Sequence, residues 1–435
     1  MLIQFEVENY LSIRDLASLQ LTAINYYKEQ SSGLIDIKLP GLAGSKFLRV
    51  AAIYGPNASG KSTFLRAIRE MRSAVLGSFR NKAGEPLPFR PFMLDNESRK
   101  RPTYFGIAFV ANDVRYEYSF SYTERAIESE ELCSFPNGYK QIWFSRSDDE
   151  VKGSSHIKVP SALEPLLNDN TLLLSLLANY PKYSDSQKIA PVYQWFQENL
   201  EFINRGPGAN IDYPFSGEIV AGAQGNDNQR AFIQNMIKKA DVGIEKARVE
   251  SAPLPEDDLK KFEKLAEALD IDSSAGGEFK YVLFDHASPK AQYSVQLSDE
   301  SDGTIQLFCL SGHIAQTLEK GSILFVDELD ASLHSVLVRE LIRCFLDPAI
   351  NPNNAQLVFT AHNPCLLENG ILRRDQVWFT EKGPDGATAF YPLSDFRPRK
   401  GESIASGYLT GRYSATPVVP KCFGLCENVS RSEEQ

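Results

Sequence analysis

Two spacings of apolar residues organise this chain, a period of two that marks half-buried strands and a longer period that marks helices. Leu2-Ile-Gln-Phe-Glu-Val-Glu-Asn-Tyr10 alternates as a strand, and Ser18-Leu-Gln-Leu-Thr-Ala23 has the spacing of its partner. Leu48-Arg-Val-Ala-Ala-Ile-Tyr54 is a buried strand by composition, and Thr63-Phe-Leu-Arg-Ala-Ile-Arg-Glu-Met-Arg72 has helical spacing. Thr103–Val110 and Val114–Ser121 flank Ala-Asn-Asp, a hairpin connection whose Asn and Asp tolerate the required backbone. Ser129–Cys133 and Gln141–Phe144 flank Pro136-Asn-Gly138 in the same way, so an antiparallel sheet is expected. From about Pro160 to Asp270 the pattern turns helical, with helices predicted over Asp169–Asn179, Val192–Phe202, Asn228–Lys239 and Asp257–Leu269, and a loop at Ala221–Asp227. Strands return at Phe279–Phe284, Gly321–Val326 and Ala355–Ala361, with a helix over Val336–Phe345. The chain therefore divides into an N-terminal lobe over 1–155, a helical insertion over 156–275 and a C-terminal lobe over 276–435.

Composition narrows the class. At 435 residues the chain can bury a sizeable core, and a net charge of −10 argues against a protein coated in positive charge for indiscriminate nucleic-acid binding. No run of about 18 apolar residues appears, and the first residues lack the pattern of a signal peptide, so the cytoplasm is the expected location. The six cysteines are scattered and expected to be reduced; only Cys422-x-x-x-Cys426 is closely spaced, without neighbouring His or Cys to complete a zinc site. The helices of the middle region are short, which excludes a long coiled-coil arm there.

The chemistry centres on Gly55-Pro-Asn-Ala-Ser-Gly60-Lys61-Ser62-Thr63, which fills every fixed position of the phosphate-binding pattern G-x-x-x-x-G-K-[ST] between a strand and a helix. Glycines let successive N–H groups and the positive helix end face a polyphosphate. Gly55, Asn57, Ser59, Gly60, Lys61, Ser62 and Thr63 are thus the expected nucleotide-binding residues. Lys61 is expected to reach the β and γ oxygens, and Ser62 to ligate Mg²⁺. A chance glycine turn would not bring strand, helix, lysine and Ser-Thr pair together.

Gly321-Ser-Ile-Leu-Phe-Val-Asp327-Glu328 is a Walker B pattern, an apolar strand ending in two carboxylates. Asp327 is the expected Mg²⁺ residue and Glu328 the general base that polarises the attacking water. Ser301-Asp-Gly303-Thr304 opens a helix with a hydroxyl, backbone N–H groups and a dipole that suit an anion. Lying between a P-loop and a Walker B strand, it resembles the signature of ABC ATPases, whose usual L-S-G-G-Q it replaces. His362, at the end of the strand after Walker B, matches their switch histidine, which contacts the γ-phosphate. His334 is open to either a structural or a catalytic role. Asn9-Tyr-Leu-Ser-Ile-Arg14, just ahead of the P-loop strand, is either a base or ribose contact or an ordinary turn.

Taken in order, Lys61, Ser301, Gly303, Asp327, Glu328 and His362 follow the ABC arrangement. The implied fold is α/β, a P-loop NTPase of the ABC/SMC-head type with an antiparallel β subdomain and an inserted helical subdomain. More narrowly, the chain resembles the AAA/ABC-like ATPases of bacterial abortive-infection and restriction-linked loci, the RloA and AbiLi group, and more loosely the ATPase subunits of the PARIS and Septu anti-phage systems. The resemblance is carried by Asn9–Ser12, the P-loop, Tyr116–Phe120 with Ile127–Leu132, Glu300–Thr304, Asp327–His334, Thr360–Asn363, and Arg399–Glu402 with Tyr408–Tyr413. The chain departs from the group at Leu11, where an arginine is usual and Arg14 is the nearest substitute, at Ser335 in place of a proline, and at Ser414 in place of a glycine. No Q-loop glutamine is identified.

The resemblance implies an ATP- and Mg²⁺-dependent sensor or scaffold that controls a separate effector, a nuclease or other toxin, during phage infection. It also implies a homodimer or higher homo-oligomer in which Ser301 and Gly303 complete the nucleotide site in trans. The alternative is a DNA-repair ATPase of the RecF/SMC-head type, kept open by the basic runs Arg99-Lys-Arg101 and Arg397-Pro-Arg-Lys400. An OLD-type nuclease is excluded because the residues after His362 hold no spaced acidic cluster. A transporter ATPase is disfavoured by the antiparallel additions and the divergent signature, and no membrane partner is expected.

Overall fold

The computed structural model describes residues 1–27, 33–147, 150–180, 182, 185–203, 215–240, 243–253, 278–288, 291–368, 370–399 and 401–416. The helix expected over Asp257–Leu269, Lys400 of the second basic run and the Cys422/Cys426 pair lie outside the described residues.

Two large sheets face one another across the helix Lys61–Gly77. The first has the order Leu200–Ile203, Ile323–Val326, Gln356–Ala361, Val50–Tyr54, Val377–Lys382, Thr388–Pro392; the first five strands are parallel and the last antiparallel. Parallel strands buried on both faces read as continuous apolar runs, which is why Val50–Tyr54 and Gln356–Ala361 are buried at every position. Ala51 and Ile53 face the core shared with Lys61–Gly77, whereas Val50, Ala52 and Tyr54 face a second core containing the helices Asp302–Lys320 and Ser335–Leu346.

The second sheet is antiparallel, with seven strands in the order Glu150–Gly153, Gln141–Ser147, Ile127–Ser134, Val114–Tyr122, Thr103–Ala111, Leu2–Glu8, Ala17–Gln20. The Asn112-Asp113 hairpin forms with both residues at positive φ, 46° and 59°, as the right-handed twist of a two-residue connection requires. Lys61–Gly77 buries Phe64, Leu65, Ala67, Ile68, Met71 and Val75, one helical stripe. Phe64 stacks on Phe390 of the first sheet at 4.4 Å and meets Phe5 of the second edge-on at 5.4 Å. One aromatic ring thereby fixes the helix that follows the P-loop against both sheets.

The middle of the chain departs from the helical expectation. Leu173–Asn179, Ser186–Glu198, Phe215–Ala221 and Asp227–Ala240 are helices, but Leu200–Ile203 is a strand beside Ile323–Val326, and Ile244–Pro253 pairs with Glu278–Ser288 in a three-stranded sheet completed by Ala291–Gln296. The predicted helix over Val192–Phe202 therefore ends at Glu198. Leu200, Phe202 and Ile203 are good strand residues, and parallel pairing with a preformed sheet edge overrides the short helical period. Among the described residues no helix is long and apolar enough to cross a membrane.

Candidate active site

Val50–Tyr54, Ile323–Val326 and Gln356–Ala361 lie in one parallel array, so their carboxyl ends deliver the P-loop, Asp327-Glu328 and His362 to the same edge, the edge where open α/β sheets bind ligands. The result is a cleft of about 610 Å³ lined by P-loop residues Asn57–Thr63, by Glu328 and His362, and by Leu11, Ser12, Arg66, Pro91–Leu94, Lys382 and Gly386.

The loop is curled by Ala58 (φ 62°) and Gly60 (φ 110°), which turn its N–H groups toward the cleft ahead of the helix. Gly60 serves two needs. Its φ is left-handed, and a Cβ there would lie 2.7 Å from Thr388 Cγ2. Lys61 is buried and donates to the carbonyls of Gly55 (2.7 Å) and Pro56 (3.0 Å). Burial pushes its ammonium down to about 8, against the pull of Asp327, Glu328 and Asp330.

Two threonines not singled out from the sequence brace this loop. Thr380 Oγ1 shares a 2.6 Å hydrogen bond with Ser59 Oγ, and Thr388 Oγ1 donates to the Ser59 carbonyl at 2.8 Å. Both stand on the strand pair Val377–Lys382 and Thr388–Pro392. They sit more than 300 residues from the loop in sequence and belong to no motif, so only the sheet order reveals them. Thr360 is a third. Its hydroxyl donates to Asp327 Oδ1 at 2.7 Å and accepts the N–H of Glu328 at 2.7 Å. It stands two residues before His362, inside the Thr360–Asn363 run, and a hydroxyl following the apolar Leu357–Phe359 is the available signal.

Glu328 itself adopts φ 55°, uncommon for a residue with a side chain and a strain that active-site turns retain. Its carboxylate lies 3.9 Å from His362 Nε2. Burial and the Lys61 charge hold the His362 imidazole below its usual range despite three nearby carboxylates, so the ring is neutral at pH 7. Asp330 Oδ2 accepts the N–H groups of His362 (2.8 Å) and Asn363 (2.6 Å), tying the loop after Walker B to the histidine.

Ser301 caps Asp302–Lys320, accepting from Thr304 N at 3.2 Å, and a Cβ on Gly303 would lie 3.0 Å from the Ser332 carbonyl. Neither Ser301 nor Gly303 lines the cleft. His334 caps Ser335–Leu346 through Nδ1, which accepts from Val336 N at 3.3 Å. Ser335 is the first residue of that helix, a position that proline also suits. Ser414 holds φ 59°, the conformation glycine adopts freely. Asn9 is structural: its amide donates to the carbonyls of Ser98 (2.8 Å) and Arg101 (2.7 Å) and accepts from Phe92 N (3.0 Å). Arg14 does not line the cleft; it pairs with Asp15 (2.9 Å) and Asp385 (2.6 Å).

Hard oxygen donors are present for a magnesium ion. Asp327 keeps one carboxylate oxygen beyond its bond to Thr360, though it does not itself line the cleft, and Ser62 lines it in the first turn of the helix, a sparse set that suits an ion held mainly by phosphates and water. Among the described residues no group of three or more His, Cys, Asp or Glu forms an all-protein metal cage.

A family model described as "AAA domain, putative AbiEii toxin, Type IV TA system" matches residues 50–368, well over half of the chain. Among solved structures, the SMC head domain from Thermotoga maritima is similar at 15% identity over 90% of this chain and 98% of that chain, with a TM-score of 0.37. The Smc head domain with an extended coiled coil bound to the C-terminal domain of ScpA derived from Pyrococcus furiosus is similar at 11% identity over 91% and 97%, also with a TM-score of 0.37. No curated protein matches significantly.

Proposed function

Because the chain belongs to this AAA domain family, we propose that it is an ATP-binding and ATP-hydrolysing sensor subunit of a bacterial anti-phage, abortive-infection system that controls a separate effector. The observation that carries this proposal is the convergence of the P-loop, Glu328 and His362 on one cleft. The resemblance to the RloA and AbiLi group supports the defence role.

In this proposal Lys61 exchanges the Gly55 and Pro56 carbonyls for phosphate oxygens, and the loop N–H groups take the remaining charge. Ser62 and, through water, Asp327 would hold Mg²⁺, which would supply neutralisation of charge on the transferring phosphoryl group. Glu328 takes the proton of the attacking water, and neutral His362 donates toward the γ-phosphate. Ser301 and Gly303 do not line this cleft, and the resemblance to ABC heads supports a shared site in which a second copy of the chain supplies them.

Phage plaquing on cells carrying this gene with its native neighbours tests the whole proposal. Protection is expected from the wild type and not from Lys61→Ala or Glu328→Gln. Absence of protection against a broad phage panel, combined with sensitivity of the mutants to DNA damage, would replace the defence role with the repair-type alternative. Mixing Lys61→Ala with Ser301→Arg protein tests the shared site: partial recovery of ATPase is expected, and no recovery counts against it.

A further inference from the structure

The wall of the cleft away from the phosphate loop presents large apolar side chains. Met93 is 54% exposed and Leu94 69% exposed, large side chains left uncovered beside the cleft. Leu11 and Phe92 continue the wall, and Leu94 lies so close to Gly386 that a Cβ there would collide with it. The parts are fastened together. Arg14, bonded to Asp385, ties the turn carrying Gly386 to the turn after Leu11, and its guanidinium lies 5.8 Å from the centre of the Phe92 ring.

Several polar groups along this wall are bonded within the protein. Leu11 N donates to Arg90 O at 2.8 Å, Phe92 N to Asn9 Oδ1 at 3.0 Å, and Pro91 has no N–H. Met93 O accepts two bonds from Arg99, at 2.9 and 2.7 Å. Ser12 Oγ donates to Thr388 Oγ1 at 2.9 Å, since the single Thr388 hydroxyl proton goes to the Ser59 carbonyl. Lys382 and Arg66 also line the cleft, side chains that donate and do not accept, and the ring nitrogen N7 that such donors address is common to adenine and guanine.

Resting on the nucleotide reading above, we propose that this wall holds the base of a purine nucleoside triphosphate by apolar contact, so that the site accepts ATP and GTP with little discrimination. Apolar surfaces separate similar ligands weakly, whereas a site built to hydrogen-bond a distinguishing group rejects the wrong ligand by orders of magnitude. Met93 and Leu94 are the residues that contribute base affinity.

The test is titration of the full chain, with Mg²⁺, by ATP, GTP and inorganic tripolyphosphate. ATP and GTP are expected to bind within about threefold of each other. The double variant Met93→Ser/Leu94→Ser is expected to weaken both by about tenfold and leave tripolyphosphate unchanged. Both side chains are exposed, so the variant is expected to melt like the wild type. An ATP preference above about tenfold, unchanged ATP affinity in the double variant, or an equal loss for tripolyphosphate would overturn the proposal. Failure of the wild type to bind tripolyphosphate or either nucleotide would instead overturn the phosphate-site reading on which it rests.

Discussion

Thr360 donates its hydroxyl to Asp327 Oδ1 at 2.7 Å, across two neighbouring parallel strands, while the same oxygen accepts the N–H of Glu328 at 2.7 Å. One hydroxyl thus orients the expected metal carboxylate and the backbone of the expected general base. Outer partners of this kind typically affect activity by roughly 10–100-fold. Thr360→Val is expected to lower ATPase turnover by about that factor with nucleotide binding retained, and Thr360→Ser to restore most of it. Equal turnover in the valine variant would remove the assigned role.

Lys61 is expected to cost the folded protein stability. Its ammonium is held down to about 8, so the folded state binds the proton less well than the unfolded chain. That cost is fully present below pH 8 and is relieved as pH rises from about 8 toward the unfolded value near 10.5. Lys61→Met should therefore abolish nucleotide binding yet raise stability by roughly 1–3 kcal/mol at pH 7, after allowance for lost hydrogen bonds. Thermal melts at pH 7 and pH 9.5 check it, the gap between wild type and variant shrinking at the higher pH.

Loss of the Lys61 proton also weakens anion binding. ATP affinity in the wild type is expected to fall as pH rises through about 8, and the bound phosphate to move that midpoint upward. Isothermal titration across pH 6.5–9.5 reads this directly. A flat profile would show that the lysine charge does not govern binding.

Glu328 at φ 55° sets a local strain against a function. Glu328→Gln preserves the strain and is expected to bind ATP while stalling hydrolysis. Glu328→Gly relieves it and is expected to be inactive but more stable than the glutamine variant by about 1 kcal/mol. Chemical denaturation of the two proteins without nucleotide separates them.

Gly60→Ala places a methyl group against Thr388 and asks alanine to hold φ 110°. Loss of about 2 kcal/mol and of nucleotide binding is expected. Adding Thr388→Ser removes the Cγ2 methyl and should recover only part of the stability, because Oγ1, the atom nearest the added methyl, and the backbone strain both remain.

Much of this protein follows from local sequence, and the reason is physical in each case. The P-loop is legible because a phosphate cradle needs glycine, lysine and a hydroxyl at close, fixed spacing. Asp327-Glu328 is legible because a buried parallel strand must be apolar until it reaches solvent. The Asn112-Asp113 hairpin is legible because few residues tolerate positive φ. The middle of the chain was harder to read: Leu200-Glu-Phe-Ile203 carries an ambiguous pattern, and its strand state comes from an open edge beside Ile323–Val326.

What only the tertiary structure decided are the relationships between distant segments. Thr380 and Thr388 reach Ser59 because the C-terminal strand pair lies beside the P-loop strand, an order no local spacing encodes. Arg14, the nearest basic residue to Leu11, is paired with Asp385, 371 residues later, and does not line the cleft, whose wall is formed by Leu11 and the Phe92–Leu94 loop. Short motifs therefore determined the chemistry available to this protein, while sheet order and burial determined which groups meet, because hydrogen bonds and charge effects act over a few ångströms regardless of separation along the chain.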